Sequence, residues 1–422
     1  MFLQKGVTQK QYILGRRDAS VKEGTLNIGR YLALDKSTGS DVYIDALRPH
    51  AMLICGKRGY GKSYTMGVLI EELASLKSEI RNNLAFIVID TMGIFWTMRR
   101  PNTRQAAALS GWGISPEGFD VEVFVPAGKV SQYAGLGVRS ISISVSDLTG
   151  SDWCTLFNIS QLEPLGVLLT RVIERLRDSH TSFSLSRIKE EILAERESDA
   201  LSRNAAANYL RVAESWGIFD RQGLPISDLV RNGVTSIVDL SSLPDQNIRG
   251  VVVSILGKKI YDERIRARRA YEMHEMGGQA QGGIPMTWMF IDEAHMFLPS
   301  GRATPASSVL INEWLRQGRQ PGLSLVLATQ RPSALNSEVV SQSDIILCHR
   351  LTAQDDIAAL ESTRPTYMRD SIGESIRNMG DEKGVAFIVD DTSESTHVVR
   401  VRPRKSWHGG DEPSAMSKSA SQ

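Results

Sequence analysis

The sequence predicts an α/β fold built on a mostly parallel sheet, and three observations predict it. First, apolar runs of strand length alternate with stretches of helical periodicity from residue 51 onward. That alternation is the pattern of crossover units, in which helices cover a sheet. Second, several runs are continuous, as in Phe86-Ile87-Val88-Ile89. Such runs suit strands buried on both faces. Third, Ala51-Met52-Leu53-Ile54-Cys55 leads into Gly56-Lys57-Arg58-Gly59-Tyr60-Gly61-Lys62-Ser63, and a helical pattern from Tyr64 to Leu76 follows. Strand, glycine-bearing loop and helix in that order form an anion-binding element.

The elements follow in chain order. Residues 1–48 are polar and turn-rich, with strand-like pieces at 31–34 and 41–44. Further strands are expected at 52–55, 84–90, 122–125, 140–145, 236–240, 286–292, 323–329, 345–348 and 385–389. Residues 165–178, 185–197 and 200–216 carry helical periodicity without strands between them, so they read as a helical subdomain inserted into the core. A long helix is expected over 247–275, followed by the Gly-rich loop 277–283. The tail after Gly409 is rich in Ser, Gly and Pro, a composition that favours disorder. The resulting division is a short N-terminal β-rich region (1–48), a core in two parts (49–159 and 233–402), the helical insertion (160–232) and a partly disordered tail (403–422).

Composition narrows the function. The chain has 422 residues, 41% apolar and 23% charged, as expected of a water-soluble globular protein. Its 49 basic and 48 acidic residues give a net charge of +1. Any nucleic-acid contact must therefore come from a local basic surface. Cys55, Cys154 and Cys348 are far apart and form no C-x-x-C pair, so they read as small buried hydrophobes. No run approaches the roughly 18 apolar residues of a membrane span. The N-terminus lacks a signal-peptide apolar core, so a cytoplasmic location without a membrane is expected.

The chemistry starts at the loop. Glycine at 56 and 61 lets backbone N–H groups converge on a polyphosphate where side chains would collide. The expected nucleotide contacts are Gly56, Arg58, Gly59, Tyr60, Gly61, Lys62, Ser63 and Tyr64. Lys62 reaches the β- and γ-phosphates, and Ser63 holds Mg²⁺. ATP is the expected nucleotide. Hydrolysis needs more: a carboxylate for the Mg²⁺ shell and a group to orient water. Met286-Thr287-Trp288-Met289-Phe290-Ile291 ends in Asp292 and Glu293, at the carboxyl end of a strand, where ligands of such sheets bind. Asp292 is assigned to Mg²⁺ and Glu293 to the attacking water. Gln330 follows the run Leu323–Thr329 and is the candidate γ-phosphate sensor. Asp90 ends another strand, either near the site or opening a turn. A cation on the developing phosphoryl charge is also expected; Arg316, Arg319 and Arg350 are the candidates.

Together these motifs resemble the HerA branch of the HerA/FtsK ATPases. The likeness rests on residues 56–63, Asp90–Gly93, Ile291-Asp292-Glu293-Ala294-His295-Met296-Phe297-Leu298-Pro299, 316–322 and Ala328-Thr329-Gln330-Arg331-Pro332. Val401-Arg402-Pro403-Arg404 and His408-Gly409-Gly410 add to it. The resemblance implies a RecA-like P-loop core, a homohexameric ring, ATP-driven movement along double-stranded DNA, and a nuclease or antiphage-defence effector as partner. It also implies that a neighbour's arginine completes each site, with Arg316 and Arg319 in the matching stretch. The family's N-terminal β-barrel has only about 50 residues available here, so it is expected to be truncated or absent, leaving an arm or a small β-subdomain.

Other functions compete. Asp292-Glu293-Ala294-His295 also fits a DEAH-box RNA helicase, but that enzyme needs two RecA-like domains and this chain carries one P-loop. An ATP-ordered scaffold that recruits an effector, or a pump for conjugation or packaging, would use the same loop. The densest basic cluster is Lys258, Lys259, Arg264, Arg266, Arg268 and Arg269, interleaved with Glu263, Glu272 and Glu275. That interleaving suits a solvated helix face. Loops 127–139 and 277–283 are the other elements available to line a channel. DNA contact is expected to be sequence-nonspecific and to weaken steeply with salt.

Overall fold

Branched and aromatic residues fill the central strands so densely that every residue of Leu84–Asp90 and of Leu323–Thr329 is buried. The computed structural model describes residues 12–18, 21–33, 35–278, 282–363, 367–368 and 371–410. Its main sheet has 13 strands. One half, in spatial order, is Ile345–Cys348, Ala51–Cys55, Leu323–Thr329, Met286–Ile291, Leu84–Asp90, Thr235–Asp239, Val121–Pro126 and Arg139–Ile141. All neighbours within that half are parallel. Beyond Ile345–Cys348 the order continues through Val385–Asp390, Ser395–Val401, Thr25–Leu32 and Thr38–Asp45, each antiparallel to the one before. Tyr12–Leu14 closes the edge, parallel to Thr38–Asp45. The expected mostly parallel α/β fold is therefore present.

Strand geometry sends alternate side chains to opposite faces, and both faces are covered. Leu53, Ala85, Ile87, Ile89, Met289, Ile291, Leu325 and Leu327 pack in one core with the helical layer. Met52, Ile54, Phe86, Val88, Phe290, Val326 and Ala328 pack in the other with Met66, Leu69, Ile70 and Leu73 of the helix Lys62–Ala74. Each fully buried side chain of this size contributes about 1.5–3 kcal/mol.

The N-terminal strands belong to the main sheet. Thr25–Leu32 and Thr38–Asp45 form neither a barrel nor a separate subdomain, because Ser395–Val401 joins them to the main sheet. Leu26, Ile28, Val42 and Ile44 have no exposed surface and share the core of the helix Lys62–Ala74. They need that helix as cover.

The helical layer begins before residue 160. Gly150–Phe157 precedes Pro164–Ser179, Leu185–Ala194, Ala200–Ser215 and Ile226–Leu229. Thr149 starts it with a capping box, and Trp153 and Cys154 anchor it in the core. The strand expected over 140–145 is divided: Arg139–Ile141 stays in the main sheet, while Ile143–Ser144 pairs with Phe219–Asp220 below the helices. The long helix Gln246–Glu275 is capped by Asp245, which accepts from the N–H groups of Asn247 and Ile248. Its basic cluster is largely engaged. Arg264 is buried and donates to the carbonyls of Pro321 and Ile284. Lys258, Lys259, Arg266 and Arg268 pair with Asp262, Asp147, Glu263 and Glu272.

The expected disorder after Gly409 falls almost wholly on residues outside the described ones, while the start of the expected tail is packed. Residues 404–406 lie against the helix Lys62–Ala74, and Trp407 bonds to Arg100, whereas 411–422 are outside the described residues. Glu71 of that helix has no exposed surface. Its carboxylate takes Arg402 Nη1 at 2.9 Å, Arg404 Nε at 3.3 Å, Ser406 Oγ at 2.6 Å and the N–H groups of Lys405 and Ser406 at 3.0 and 2.9 Å. Burial pushes the Glu71 pKa up, but Arg404, Arg402 and Ser406 outweigh it and hold the group below the usual carboxylate value. Replacing Glu71 by Gln leaves the buried Arg404 without its carboxylate and Arg402 with Glu72 alone. Urea unfolding should show a loss of about 3–5 kcal/mol. Glu117→Gln, which breaks the exposed pair with Lys405 at 3.4 Å, should cost about 0–1 kcal/mol.

A second buried charge sits just before the strand Ala51–Cys55. His50 Nδ1 lies 2.7 Å from Asp344 Oδ2, and Nε2 lies 3.7 Å from Asp45 Oδ2. Burial alone would lower the His50 pKa, but the carboxylates of Asp344 and Asp45 prevail and raise it to about 9. The folded state thus binds this proton more tightly than the unfolded chain, where histidine titrates near 6.5. The contribution is complete below about pH 6.5 and is lost as pH rises through about 9. Melting temperatures measured across that window should fall with pH in the native protein. In His50→Gln the fall should be visibly shallower.

Candidate active site

The strand Ala51–Cys55 delivers the chain to the carboxyl edge of the parallel half, and the helix Lys62–Ala74 carries it away. Between them Gly56, Gly59 and Gly61 take φ values of 152°, 79° and 117°. Those conformations strain any residue with a Cβ. At Gly56 an added Cβ would also meet the Cβ of His349 at 2.6 Å. No side chain caps the helix after Gly61. Its first N–H groups therefore remain free to receive an anion.

Lys62 is buried, and its Nζ donates to the Lys57 carbonyl at 3.4 Å. Burial lowers its pKa, opposed by the nearby charges of Glu293 and Asp292. Ser63 Oγ donates to Asp292 Oδ2 at 2.6 Å, and Asp292 Oδ1 accepts the Glu293 N–H at 2.8 Å. Burial raises the Glu293 pKa; Asp292 adds to this, and Lys62 and Arg58 oppose it. His295 Nδ1 stands 3.4 Å from Glu293 Oε2 and 3.3 Å from Thr329 Oγ1.

The structure thus brings together Gly56, Arg58, Gly59, Gly61, Lys62, Ser63, Asp292 and Glu293. Gln330 follows Thr329, which is level with Cys55 across the pairing of their strands. That register puts Gln330 at the same edge, half-exposed. Tyr60 is half-exposed, and the Arg350 guanidinium lies 6.0 Å from its ring centre. Arg350 is consequently beside its own chain's loop.

Three expectations separate from the site. Tyr64 commits its side chain elsewhere: its hydroxyl donates to Gln105 Oε1 at 2.6 Å and accepts the Arg404 N–H at 2.6 Å. Arg316 and Arg319 precede the strand Leu323–Thr329, whereas Gln330 follows it. Seven strand residues place them on the order of 20 Å from Glu293, at the far edge of the sheet. Arg316 there makes a two-pronged pair with Glu338 at 2.7 and 2.6 Å. Arg319 is exposed and has no ion pair among the described residues. Asp90 takes the turn role: it accepts the N–H groups of Met92, Gly93 and Phe95.

Sequence reasoning missed Thr65, His295 and His349. Thr65 and His349 are polar residues beside apolar runs, with nothing in their spacing to distinguish them from a helix face or strand end, and His295 stood out only as part of Asp292-Glu293-Ala294-His295, without a role of its own. Among the described residues no group of three His, Cys, Asp or Glu side chains is placed to hold a metal alone. Ser63 and Asp292 are nevertheless hard oxygen donors in contact. They fit Mg²⁺, which commonly takes its remaining ligands from phosphate and water.

Comparison with known proteins gives a family and a fold. Residues 26–260 match the family model described as helicase HerA, central domain. A DNA double-strand break repair helicase HerA from Pyrococcus furiosus is 24% identical over 370 residues, covering 83% of this chain and 65% of that one. The chain thus spans less than two-thirds of that relative. A protein of the same name from Sulfurisphaera tokodaii is 22% identical over 402 residues, covering 93% and 72%. Among solved structures, VirB4 of Thermoanaerobacter pseudethanolicus superposes with a TM-score of 0.53 at 14% identity, covering 90% of this chain and 97% of that one. The bacterial conjugative coupling protein TrwBdeltaN70 gives 0.52 at 12%, covering 91% of each. These two share the α/β RecA-like fold. No helix among the described residues is long and apolar enough to cross a membrane. On the strength of the family match, the chain belongs to the HerA-like ATPases of the HerA/FtsK family.

Proposed function

We propose that this protein is an ATP-hydrolysing motor that forms a homohexameric ring and moves on double-stranded DNA. The observation that carries the reading is Ser63 Oγ at 2.6 Å from Asp292 Oδ2, with the phosphate loop on one side and Glu293 on the other. The P-loop and the carboxylate strand thereby meet as one hydrolytic site. The uncapped helix and Lys62 hold the phosphates. Glu293, with its pKa raised by burial and by Asp292, is a stronger proton acceptor for the attacking water than an exposed carboxylate. Gln330 orients that water or senses the γ-phosphate. Mg²⁺, held by Ser63 and Asp292, would neutralise charge on the phosphoryl group.

The ring follows from the arginines. Arg316 and Arg319 sit across the sheet from their own site, and a head-to-tail ring would carry them to a neighbour's phosphates. The names of the Pyrococcus and Sulfurisphaera relatives support DNA as the track. A nuclease or a defence effector is the partner this reading expects, in the cytoplasm.

Glu293→Gln should keep ATP binding and lose turnover by about 10²-fold or more. Assay of phosphate release with and without duplex DNA tests the whole reading. Native protein should be stimulated by the duplex; hydrolysis indifferent to DNA would count against a translocase. A second experiment tests the shared site. Arg319→Ala and Glu293→Gln should each be nearly inactive. When the two are mixed and reassembled, about one interface in four combines an intact Glu293 with an intact Arg319. Partial recovery of phosphate release is expected. Two inactive variants that stay inactive together would place the arginine outside the site.

A further inference from the structure

We propose that His349 is a positioning residue for the nucleotide loop, holding it in its phosphate-receiving shape before any nucleotide arrives. The inference rests on the ATP-binding reading above and assigns one of its requirements to a residue outside the loop.

The strand Ile345–Cys348 pairs with Ala51–Cys55, and the pairing continues past both strand ends. The His349 N–H donates to the Cys55 carbonyl at 2.8 Å, and the Lys57 N–H donates to the Arg350 carbonyl at 2.7 Å. The first turn of the loop is thus tied to residues 349 and 350. The His349 side chain lies directly behind it. A Cβ at Gly56 would fall 2.6 Å from the His349 Cβ, and one at Gly61 would fall 3.4 Å from Cε1. The two glycines that shape the loop therefore abut one side chain.

That side chain is fixed at both nitrogens. Nδ1 is 2.8 Å from the Val385 carbonyl oxygen, and Nε2 is 2.9 Å from Thr65 Oγ1. A carbonyl only accepts, so Nδ1 carries the hydrogen. Nε2 then accepts the hydroxyl proton of Thr65. Burial, opposed by the Val385 bond and reinforced by Lys62, lowers the His349 pKa to about 4. The ring is neutral at physiological pH, which suits this arrangement. Thr65 follows Ser63 by two residues on the helix, so the bond fixes the helix entry that Lys62 and Ser63 share. His349 links three elements at one point: the loop, the helix behind it and the strand Val385–Asp390. Three loop residues with φ near or above 80° are easily rearranged. A wall with two satisfied hydrogen bonds removes that freedom in advance, so binding need not supply the ordering entropy.

The geometry also separates two conservative substitutes. Gln at 349 can place its amide oxygen where Nε2 stood and still accept from Thr65. Asn is shorter and reaches only the Nδ1 position. The test is a fluorescent-ATP titration with parallel melting curves on native protein, His349→Gln, His349→Asn, Thr65→Ser and Thr65→Val. Native binding is the control: native protein that binds no nucleotide overturns the ATPase reading, and the proposal with it. Given native binding, His349→Asn and Thr65→Val should each weaken ATP affinity about tenfold, the loss of one buried hydrogen bond. His349→Gln and Thr65→Ser should stay within about threefold. The double variant His349→Asn/Thr65→Val should be no weaker than the poorer single. Should His349→Asn fail to fold, Thr65→Val against Thr65→Ser decides alone. Lowered melting temperature with unchanged ATP affinity, or Asn binding as tightly as Gln, would overturn the proposal.

Discussion

The Glu71 carboxylate is the constraint on which the nucleotide loop depends. A glycine loop has little stiffness of its own, and a helix N-terminus aims its charge only if the helix is held still. Glu71 lies in that helix and binds residues 331 to 335 positions later in the chain. The final strand Ser395–Val401 carries those partners to it. Ser395–Val401 also pairs with Thr25–Leu32, whose apolar face covers the same helix. The segments before and after the core therefore converge on the helix that presents Lys62 and Ser63. Loop geometry here is a property of the whole sheet.

The charges around the loop satisfy one another. Lys62 rests on a loop carbonyl and between two carboxylates, and Ser63 rests on Asp292. Both polar contacts are ones a bound phosphate and its cation would replace group for group. The exchange costs little reorganisation because donors and acceptors are already aimed at the same small volume. Within one chain Arg58 is the other cation whose charge acts on Glu293. Arg350 lies near Tyr60, and Arg316 and Arg319 lie across the sheet. In the proposed ring a neighbour's arginine would add to these charges from outside, which makes hydrolysis sensitive to how neighbours sit.

Motifs that need a fixed spacing were legible in the sequence. The phosphate loop, the Asp292–Glu293 pair and the strands Leu84–Asp90, Leu323–Thr329 and Ile345–Cys348 could be read from apolar runs and their terminal residues. Contacts that close over long sequence distances could not. Glu71 looks like an ordinary surface carboxylate on a helix, and Arg404 sits in a short basic stretch at the start of the expected tail. Only the fold reveals that each buries the other. The N-terminal strands were legible only as pieces at 31–34 and 41–44 for a related reason: their outer residues are polar, and their apolar face becomes evident once the helix Lys62–Ala74 lies against it. Tyr64 was assigned to the nucleotide by its position after Ser63, but in a helix adjacent residues point about 100° apart. Its side chain accordingly reaches the C-terminal segment.

The adjacent carboxylates pose a geometric problem that the backbone solves. In an extended strand Asp292 and Glu293 would face opposite sides of the sheet, and only one could serve the site. The regular strand ends at Ile291, and Glu293 adopts φ 51° and ψ 46°, a left-handed conformation unusual for a residue with a side chain. That turn brings Glu293 to where its charge acts on Lys62. The conformation costs on the order of 1–3 kcal/mol. The Asp292 carboxylate offsets part of it by accepting the Glu293 N–H at 2.8 Å. Asp292 therefore serves twice: one oxygen meets Ser63, and the other holds the backbone turn that aims Glu293. A change at Asp292 would consequently disturb the orientation of Glu293 as well as the contact with Ser63, so the two carboxylates act as a single unit.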